Sequence, residues 1–196
     1  MSRQLRALAL VLLVAACGGG ERTGSAPSNL DDACRILDQR PAYVNAFRQT
    51  ERAWGVPMAV QMAIIYQESK FVPNARPPHQ YALGVIPVGR QSSALGYSQA
   101  LDGTWEEYQA ERGGRRAQRD DIFAATDFMG WYMNDTAQTL GIPLDDTTRQ
   151  YLAYHEGRTG YARESYLEKA WLMEVATGLG ERASLYDAQL RSCRRA

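Results

Sequence analysis

Residues 57–68, with the sequence PMAVQMAIIYQE, contain no glycine and no charged residue before the final glutamate. Proline is favoured at the first position of a helix, so this stretch predicts a helix that begins at Pro57. Val60, Ile64 and Glu68 stand at i, i+4 and i+8, and one helix face therefore carries two aliphatic side chains followed by a carboxyl group. Burial on such a face disfavours the charged form and raises the pKa of Glu68. A carboxyl group that keeps its proton near neutral pH can act as a general acid, for example on a glycosidic bond.

Helical periodicity continues along most of the chain from Asp31 to Cys193, a length that suits one domain with a substantial core. Thr104-Trp105-Glu106-Glu107 fits a capping box and predicts the start of a fourth helix. Asp145-Asp146 predicts the start of another helix, which ends near Gly157. The predicted fold class is therefore mainly α. Further helices are expected to carry Cys34, Ile36 and Leu37, to begin at Pro41, and to cover Ile122–Tyr132, Tyr166–Thr177 and Glu181–Cys193.

Residues Val72–Leu95 form the exception, because they contain four prolines and two glycines and no convincing helix. A loop of this length within a compact domain is uncommon and is often functional. We expect an ordered loop beside a cleft, with a possible short pair of strands near Leu83–Val88, and disorder is the alternative. The apolar residues expected to give this loop packing contacts are Tyr81, Leu83, Val85, Ile86 and Val88.

The N-terminus predicts export. Arg3 and Arg6 precede an apolar run, residues 7–16, that is too short to span a bilayer as a helix. Residues 14–17, Val-Ala-Ala-Cys, resemble the lipobox of bacterial lipoproteins, which implies cleavage before Cys17 and acylation of that cysteine. Gly18 then weakly favours the outer membrane, and an ordinary secretory signal with a chance cysteine is the alternative. The expected organisation is a signal peptide over residues 1–16, a lipidated cysteine and flexible tether over residues 17–30, and the folded domain over residues 31–196.

Export also implies an oxidising compartment, in which Cys34 and Cys193 are expected to form a disulfide; two separately buried thiols are the alternative. Without residues 1–16 the chain carries 20 basic and 22 acidic residues. This near neutrality gives no signal for a polyanion, so nucleic acid is not expected as a partner. The two histidines, His79 and His155, show no metal-ligand spacing, and we expect neither a metal nor an organic cofactor.

Three separated motifs follow one another: Glu68-Ser69, then Gly96-Tyr97-Ser98-Gln99, then Ala153-Tyr154-His155-Glu156-Gly157. Their order and character resemble the catalytic domain of the soluble lytic transglycosylases, which shows Glu-Ser, Gly-Leu-Met-Gln and Ala-Tyr-Asn-Ala-Gly. The resemblance covers roughly residues 55–160. It implies a lysozyme-like domain that cleaves peptidoglycan between N-acetylmuramic acid and N-acetylglucosamine and closes a 1,6-anhydro ring.

By position, the resemblance implies that Glu68 is the single catalytic acid, that Gln99 lies in the cleft wall and that the Tyr154 hydroxyl faces the acid. His155 replaces the usual asparagine, a departure that suggests a lipoprotein subfamily with altered substrate contacts. Tyr151, Tyr154 and His155 also share a helix face, which taken alone favours core packing over a binding site. The predicted substrate-binding residues are Ser69, Gln99, Tyr151, Tyr154 and His155.

Two other functions stay open. A muramidase of the same fold would admit water, and a peptidoglycan-binding or scaffold lipoprotein would bind without cleaving. Asp102 is a candidate second carboxylate, but its position just before the capping box favours a turn. We expect a monomer that acts on peptidoglycan glycan strands, is held at the membrane through Cys17 and faces the periplasm.

Overall fold

The computed structural model describes residues 24–193, and within this range the mainly α fold class is confirmed. The predicted signal peptide, Cys17 and the first part of the tether lie outside the described residues. No helix within residues 24–193 is both long and apolar enough to cross a membrane. The helices are α1 (Ala33–Gln39), α2 (Pro41–Trp54), α3 (Met58–Ser69), α4 (Asp102–Tyr108), α5 (Ile122–Leu140), α6 (Thr147–Ala162) and α7 (Ala170–Ser192).

Helix α3 lies at the centre of the domain and packs against α2, α6 and α7. Residues 58–65 are all buried, because this part of the sequence is almost entirely apolar. The buried amide of Gln61 donates to the Phe47 and Val56 carbonyls, at 3.1 and 2.8 Å. The helix ends at Ser69, after which Lys70 adopts a left-handed conformation with φ of 51°. Glu68 therefore lies in the last turn of a helix whose position is fixed by the core.

The two helices predicted over Tyr166–Thr177 and Glu181–Cys193 are in fact one continuous helix, α7, preceded by a 3-10 turn over Ser165–Glu168. The predicted break is wrong because packing outweighs the low helix propensity of glycine. A Cβ atom on Gly180 would lie only 2.6 Å from the Thr148 Oγ1 of α6. The glycine thus allows α6 and α7 to approach each other closely.

The predicted capping box at Thr104 is also wrong. Helix α4 begins earlier, at Asp102, and no side chain caps its first backbone amides. The Asp102 amide instead donates to the Ser93 hydroxyl at 3.0 Å, and its carboxylate forms an ion pair with Arg119. Tertiary contacts of Asp102 therefore fix the residue at which α4 begins. At its other end, α4 continues into a π-helical turn over Gln109–Gly113.

The proline-rich segment contains a hairpin of two antiparallel strands, β1 (His79–Ala82) and β2 (Ile86–Arg90), at the place where a short strand pair was considered. The expectation that its apolar side chains supply packing contacts is wrong. Leu83 is 90% exposed and Val85 is 76% exposed, and Tyr81, Ile86 and Val88 are also exposed. A two-stranded ribbon pairs only with itself and has no core of its own in which to bury these groups.

Residues 24–30, the last part of the predicted tether, lie against the helices. Pro27 is buried, the Ser28 amide donates to the Gln39 Oε1 at 2.9 Å, and the Leu30 carbonyl accepts from Tyr186. The tether boundary predicted at residue 30 is therefore too late, because backbone polar groups here find partners on α1 and α7. The predicted disulfide between Cys34 and Cys193 is confirmed, with the Cα atoms 5.8 Å apart, and it joins α1 to the end of α7.

Candidate active site

Glu68 is partly accessible to solvent, yet its carboxyl group is strongly desolvated by the surrounding protein. Desolvation raises the pKa of Glu68 to about 7, and it outweighs the opposing effects of a hydrogen bond from Tyr151 and the positive charge of Lys70. Lys70 is held near the site because its ammonium lies 3.7 Å from the centre of the Tyr66 ring. The acid is therefore about half protonated near neutral pH.

Two tyrosines of α6 flank the acid. Tyr151 is buried and hydrogen-bonded to the Glu68 carboxyl. Burial also raises the pKa of Tyr154 well above its usual value, with the negative charge of Glu68 as the next cause, so this ring is close to the acid as well. The Tyr154 hydroxyl, however, donates to the Ser98 carbonyl at 2.7 Å. The resemblance implied that Tyr154 faces the acid, whereas the hydrogen bond to Glu68 comes from Tyr151, one helical turn earlier.

The second motif forms a tight turn that is tied to its surroundings on two sides. The Gly96 amide and the Gln99 Nε2 both donate to the Ala75 carbonyl at 2.9 Å, and the Tyr97 amide donates to the Arg119 carbonyl at 3.2 Å. Gly96 has a φ of 81°, and a Cβ atom there would lie 2.0 Å from the Arg119 carbonyl oxygen. Only glycine fits this close approach, so the turn presents the Ser98 carbonyl to Tyr154 in a fixed position.

The structure brings together Gln99, Tyr154 and His155, three of the five predicted substrate-binding residues. They line a surface depression of about 230 Å³, whereas Glu68 is adjacent to it through Tyr154 rather than part of its lining. Ser69 is not in this group, because its side chain is buried and its hydroxyl donates to the Ile65 carbonyl of its own helix. The complete lining is Gln99, Ala100, Leu101, Thr104, Phe128, Tyr132, Tyr154, His155, Glu156 and Gly157.

His155 lies at the rim of this depression. Its ring meets the exposed Trp171 ring edge-on, with the ring centres 5.3 Å apart. The His155 Nδ1 lies 3.0 Å from the Glu156 carboxylate. The Glu156 side chain is only 4% exposed, and it pairs with the Lys169 ammonium at 2.7 Å and with the Ser165 hydroxyl. These hydrogen bonds lower the pKa of Glu156 to about 2 and link the end of α6 to the start of α7.

Among the described residues, the charged group that shifts the pKa of Glu68 is Lys70, which lowers it, and not a second carboxylate. Asp102 pairs with Arg119 at 2.6 Å, and Glu156 pairs with Lys169. Residues 24–193 also contain no cluster of three or more His, Cys, Asp or Glu side chains arranged to hold a metal ion. Lys70 is a residue that the sequence analysis missed, although its position two residues after the acid was a visible signal.

A mainly α domain that holds one desolvated carboxyl group among tyrosines has the features of an enzyme that cleaves glycosidic bonds. Comparison with protein families identifies the group more closely: the transglycosylase SLT domain matches residues 5–193, so the chain belongs to this family. The expected soluble-lytic-transglycosylase-type domain and lysozyme-like fold are thereby confirmed. The family supports a lytic-transglycosylase-type function on peptidoglycan in the cell envelope. No curated protein matched the chain.

Proposed function

We propose that the protein is a lytic transglycosylase that cleaves the bond between N-acetylmuramic acid and N-acetylglucosamine, with Glu68 as the only acid and base. The observation that carries the proposal is the pKa of about 7 that desolvation gives to this carboxyl group. A group with this pKa can donate a proton near neutral pH and take one back in the next step. Family membership supports the substrate class.

In the first step Glu68 donates its proton to the bridging oxygen while the bond from that oxygen to the muramoyl C1 breaks. The N-acetylglucosamine end leaves with a new hydroxyl group, and positive charge develops at C1. The hydrogen bond from Tyr151 stabilises the carboxylate that Glu68 has become. The N-acetyl group of the substrate stabilises the positive sugar centre, as the resemblance to the family implies.

In the second step the 6-hydroxyl of the same muramoyl residue attacks C1 and gives up its proton to the Glu68 carboxylate. A 1,6-anhydro ring forms, the acid is regenerated and no water is consumed. Hydrolases commonly need a second carboxylate to activate water or trap the sugar. Within residues 24–193, Asp102 and Glu156 are engaged with Arg119 and Lys169, which favours the intramolecular route.

Gln99, Tyr154 and His155 contact the sugars in this proposal, because they line the depression beside the acid. Tyr151 acts through its hydrogen bond to Glu68. Residues 1–16 direct export, Cys17 carries the lipid anchor, and the outer membrane is the favoured location. The disulfide between Cys34 and Cys193 supports an oxidising compartment such as the periplasm.

Digestion of purified sacculi with the protein and with Glu68→Gln tests the proposal. We expect released muropeptides with 1,6-anhydro ends, and a loss of at least about 10²-fold in rate for the variant. A muramidase would release reducing ends, each heavier by one water. A scaffold protein would bind sacculi and release nothing, for both forms alike. Either result would overturn the proposed reaction.

A further inference from the structure

The tip of the β-hairpin is a strongly exposed apolar surface. Five apolar or aromatic side chains of the hairpin are exposed to solvent: Tyr81, Leu83, Val85, Ile86 and Val88. Leu83, at the turn, is the most exposed large apolar side chain within residues 24–193. A group of exposed apolar side chains on a soluble domain marks a surface that binds a partner or a membrane.

The backbone of the turn makes a leucine at this position costly. The Val85 amide donates to the Ala82 carbonyl at 3.2 Å. The two residues between them, Leu83 and Gly84, both have a positive φ, of 52° and 74°. Asn-Gly is the usual sequence for a hairpin turn with two positive φ angles, and a leucine in this conformation is sterically disfavoured. The chain thus keeps a strained, exposed leucine where asparagine would suit the backbone better, which favours a role for this side chain outside the fold.

Charged side chains are confined to the base of the hairpin. Residues 77–89 contain no Asp, Glu, Lys or Arg, and Arg76 and Arg90 stand at the two ends of this stretch. Both arginines line a groove at the base of the hairpin, together with the acids Glu106 and Asp120. The hairpin therefore runs from a charged base to an uncharged, apolar tip. Polarity falls in the same order from water into the headgroup region of a bilayer.

The described chain begins close to the base of the hairpin. The Ser25 carbonyl accepts from the Arg40 Nη2 at 3.1 Å, and the Arg40 carbonyl accepts from the Tyr43 amide at 2.9 Å. The Tyr43 and Tyr97 hydroxyls are 3.0 Å apart. Tyr97 belongs to the turn whose first amide donates to the Ala75 carbonyl at 2.9 Å, just before the hairpin. A short series of contacts thus joins the start of the described chain to the hairpin.

We propose that the tip of the hairpin inserts into the surface of the membrane that holds the lipid anchor, an inference that rests on the proposed acylation of Cys17. From Cys17 to Gly24 the chain spans at most about 25 Å, so the domain stays close to the bilayer. A five-residue strand such as β2 is about 16 Å long, and the hairpin can therefore reach across much of this distance.

The hairpin enters only the headgroup region. The outer edges of a two-stranded ribbon carry backbone N–H and C=O groups that have no partner in hydrocarbon, so they must stay near water. The apolar tip side chains are buried at the boundary with the acyl chains, and the arginines at the base remain among the headgroups. The anchor and the hairpin then hold the domain at two points and fix the orientation of its cleft relative to the membrane.

Flotation with vesicles of phosphatidylethanolamine and phosphatidylglycerol tests the inference. The parent protein is the mature chain from residue 17 with Cys17→Ser, which carries no acyl group, so its binding does not depend on the anchor. We expect it to float with the vesicles, and the added change Leu83→Asn to weaken binding by about tenfold, because the leucine side chain is no longer buried in lipid. Asparagine suits a positive φ, so this variant should be at least as stable in urea unfolding. Leu167→Asn, the same change at an exposed site between α6 and α7, should bind like the parent.

Equal vesicle binding by the parent and Leu83→Asn, or no binding by the parent, would overturn the inference. A dimer in sedimentation without vesicles, converted to a monomer by Leu83→Asn, would also overturn it, because a second copy would then cover the tip. We expect Leu83→Asn to leave kcat/KM on soluble glycan strands unchanged, and a loss would place the tip over the sugars instead.

Failure of the proposed function is detected separately. Mass spectrometry of the exported protein tests the acyl group on Cys17, and the digestion of sacculi tests cleavage. If either result were negative, vesicle binding by the parent and Leu83→Asn would still decide whether the hairpin tip binds lipid.

Discussion

Tyr151, in the middle of α6, is hydrogen-bonded to Glu68 in the last turn of α3. The two helices meet in the core, so this contact fixes the carboxyl group relative to the second wall of the site. The hydrogen bond lowers the pKa of Glu68, while desolvation raises it by more. The result, a pKa of about 7, is a balance between two effects that can be changed separately.

The first prediction concerns the pH dependence of cleavage. The free enzyme needs a protonated Glu68, so kcat/KM should fall as the pH rises through about 7. Tyr151→Phe removes a hydrogen bond that favours the carboxylate, and the fall should therefore move to higher pH. Tyr154→Phe is the matched control, because its hydroxyl is bonded to the Ser98 carbonyl rather than to Glu68. A pH profile that is the same for the native protein and Tyr151→Phe would contradict this account.

The second prediction concerns stability. The pKa of Glu68 rises from 4.5 to about 7 on folding, so the folded state binds more protons in this range and the free energy of unfolding falls as the pH rises through it. In Glu68→Gln the free energy of unfolding does not fall in this way, because glutamine does not ionise. The variant should be more stable than the native protein by about 3 kcal/mol at pH 8 and by little at pH 4, measured by urea unfolding. Glu181→Gln, at an exposed position on α7, should show no such gain. Equal stability of Glu68→Gln and the native protein at pH 8 would contradict the desolvation of Glu68.

The third prediction tests the turn that carries the second motif. Gly96→Ala should destabilise the protein by about 3 kcal/mol, because both the positive φ and the contact with the Arg119 carbonyl oppose a Cβ atom. Gly84→Ala is a close control, with a φ of 74° and no atom near the added Cβ, and should be destabilised by only about 1 kcal/mol. Similar losses for the two variants in chemical denaturation would show that the close approach at Gly96 is unimportant.

The fourth prediction concerns the disulfide. It closes a loop with a sequence separation of 159 residues. In the chain-entropy model a loop of this length contributes about 5 kcal/mol to stability. Replacing both Cys34 and Cys193 by serine should therefore lower the free energy of unfolding by several kcal/mol. A loss below about 1 kcal/mol would mean that the denatured state is already compact.

The helical fold and the position of Glu68 could be predicted because they depend on local patterns. The apolar run before Glu68 and the Asp145-Asp146 start signal each act within a few turns of chain. The break predicted in α7 was wrong because Gly180 is needed for contact with Thr148, a residue on another helix. Likewise, α4 begins at Asp102 because this residue forms an ion pair with Arg119 and a hydrogen bond with Ser93. Neither partner is a neighbour of Asp102 in sequence.

The details of the site were less predictable for the same reason. Tyr151 and Tyr154 are both plausible partners of the acid by spacing, and only the packing of α6 against α3 decides which hydroxyl reaches Glu68. The charge environment of Glu156 depends on its ion pair with Lys169. Lys169 reaches Glu156 because a 3-10 turn over Ser165–Glu168 precedes it.

The central claim is that Glu68 holds a proton near neutral pH. An NMR titration of the protein with ¹³C-labelled glutamate, assigned through Glu68→Gln, measures this directly. The account predicts a Glu68 carboxyl group that titrates with a pKa of about 7. A pKa near the ordinary value of 4.5 would contradict it.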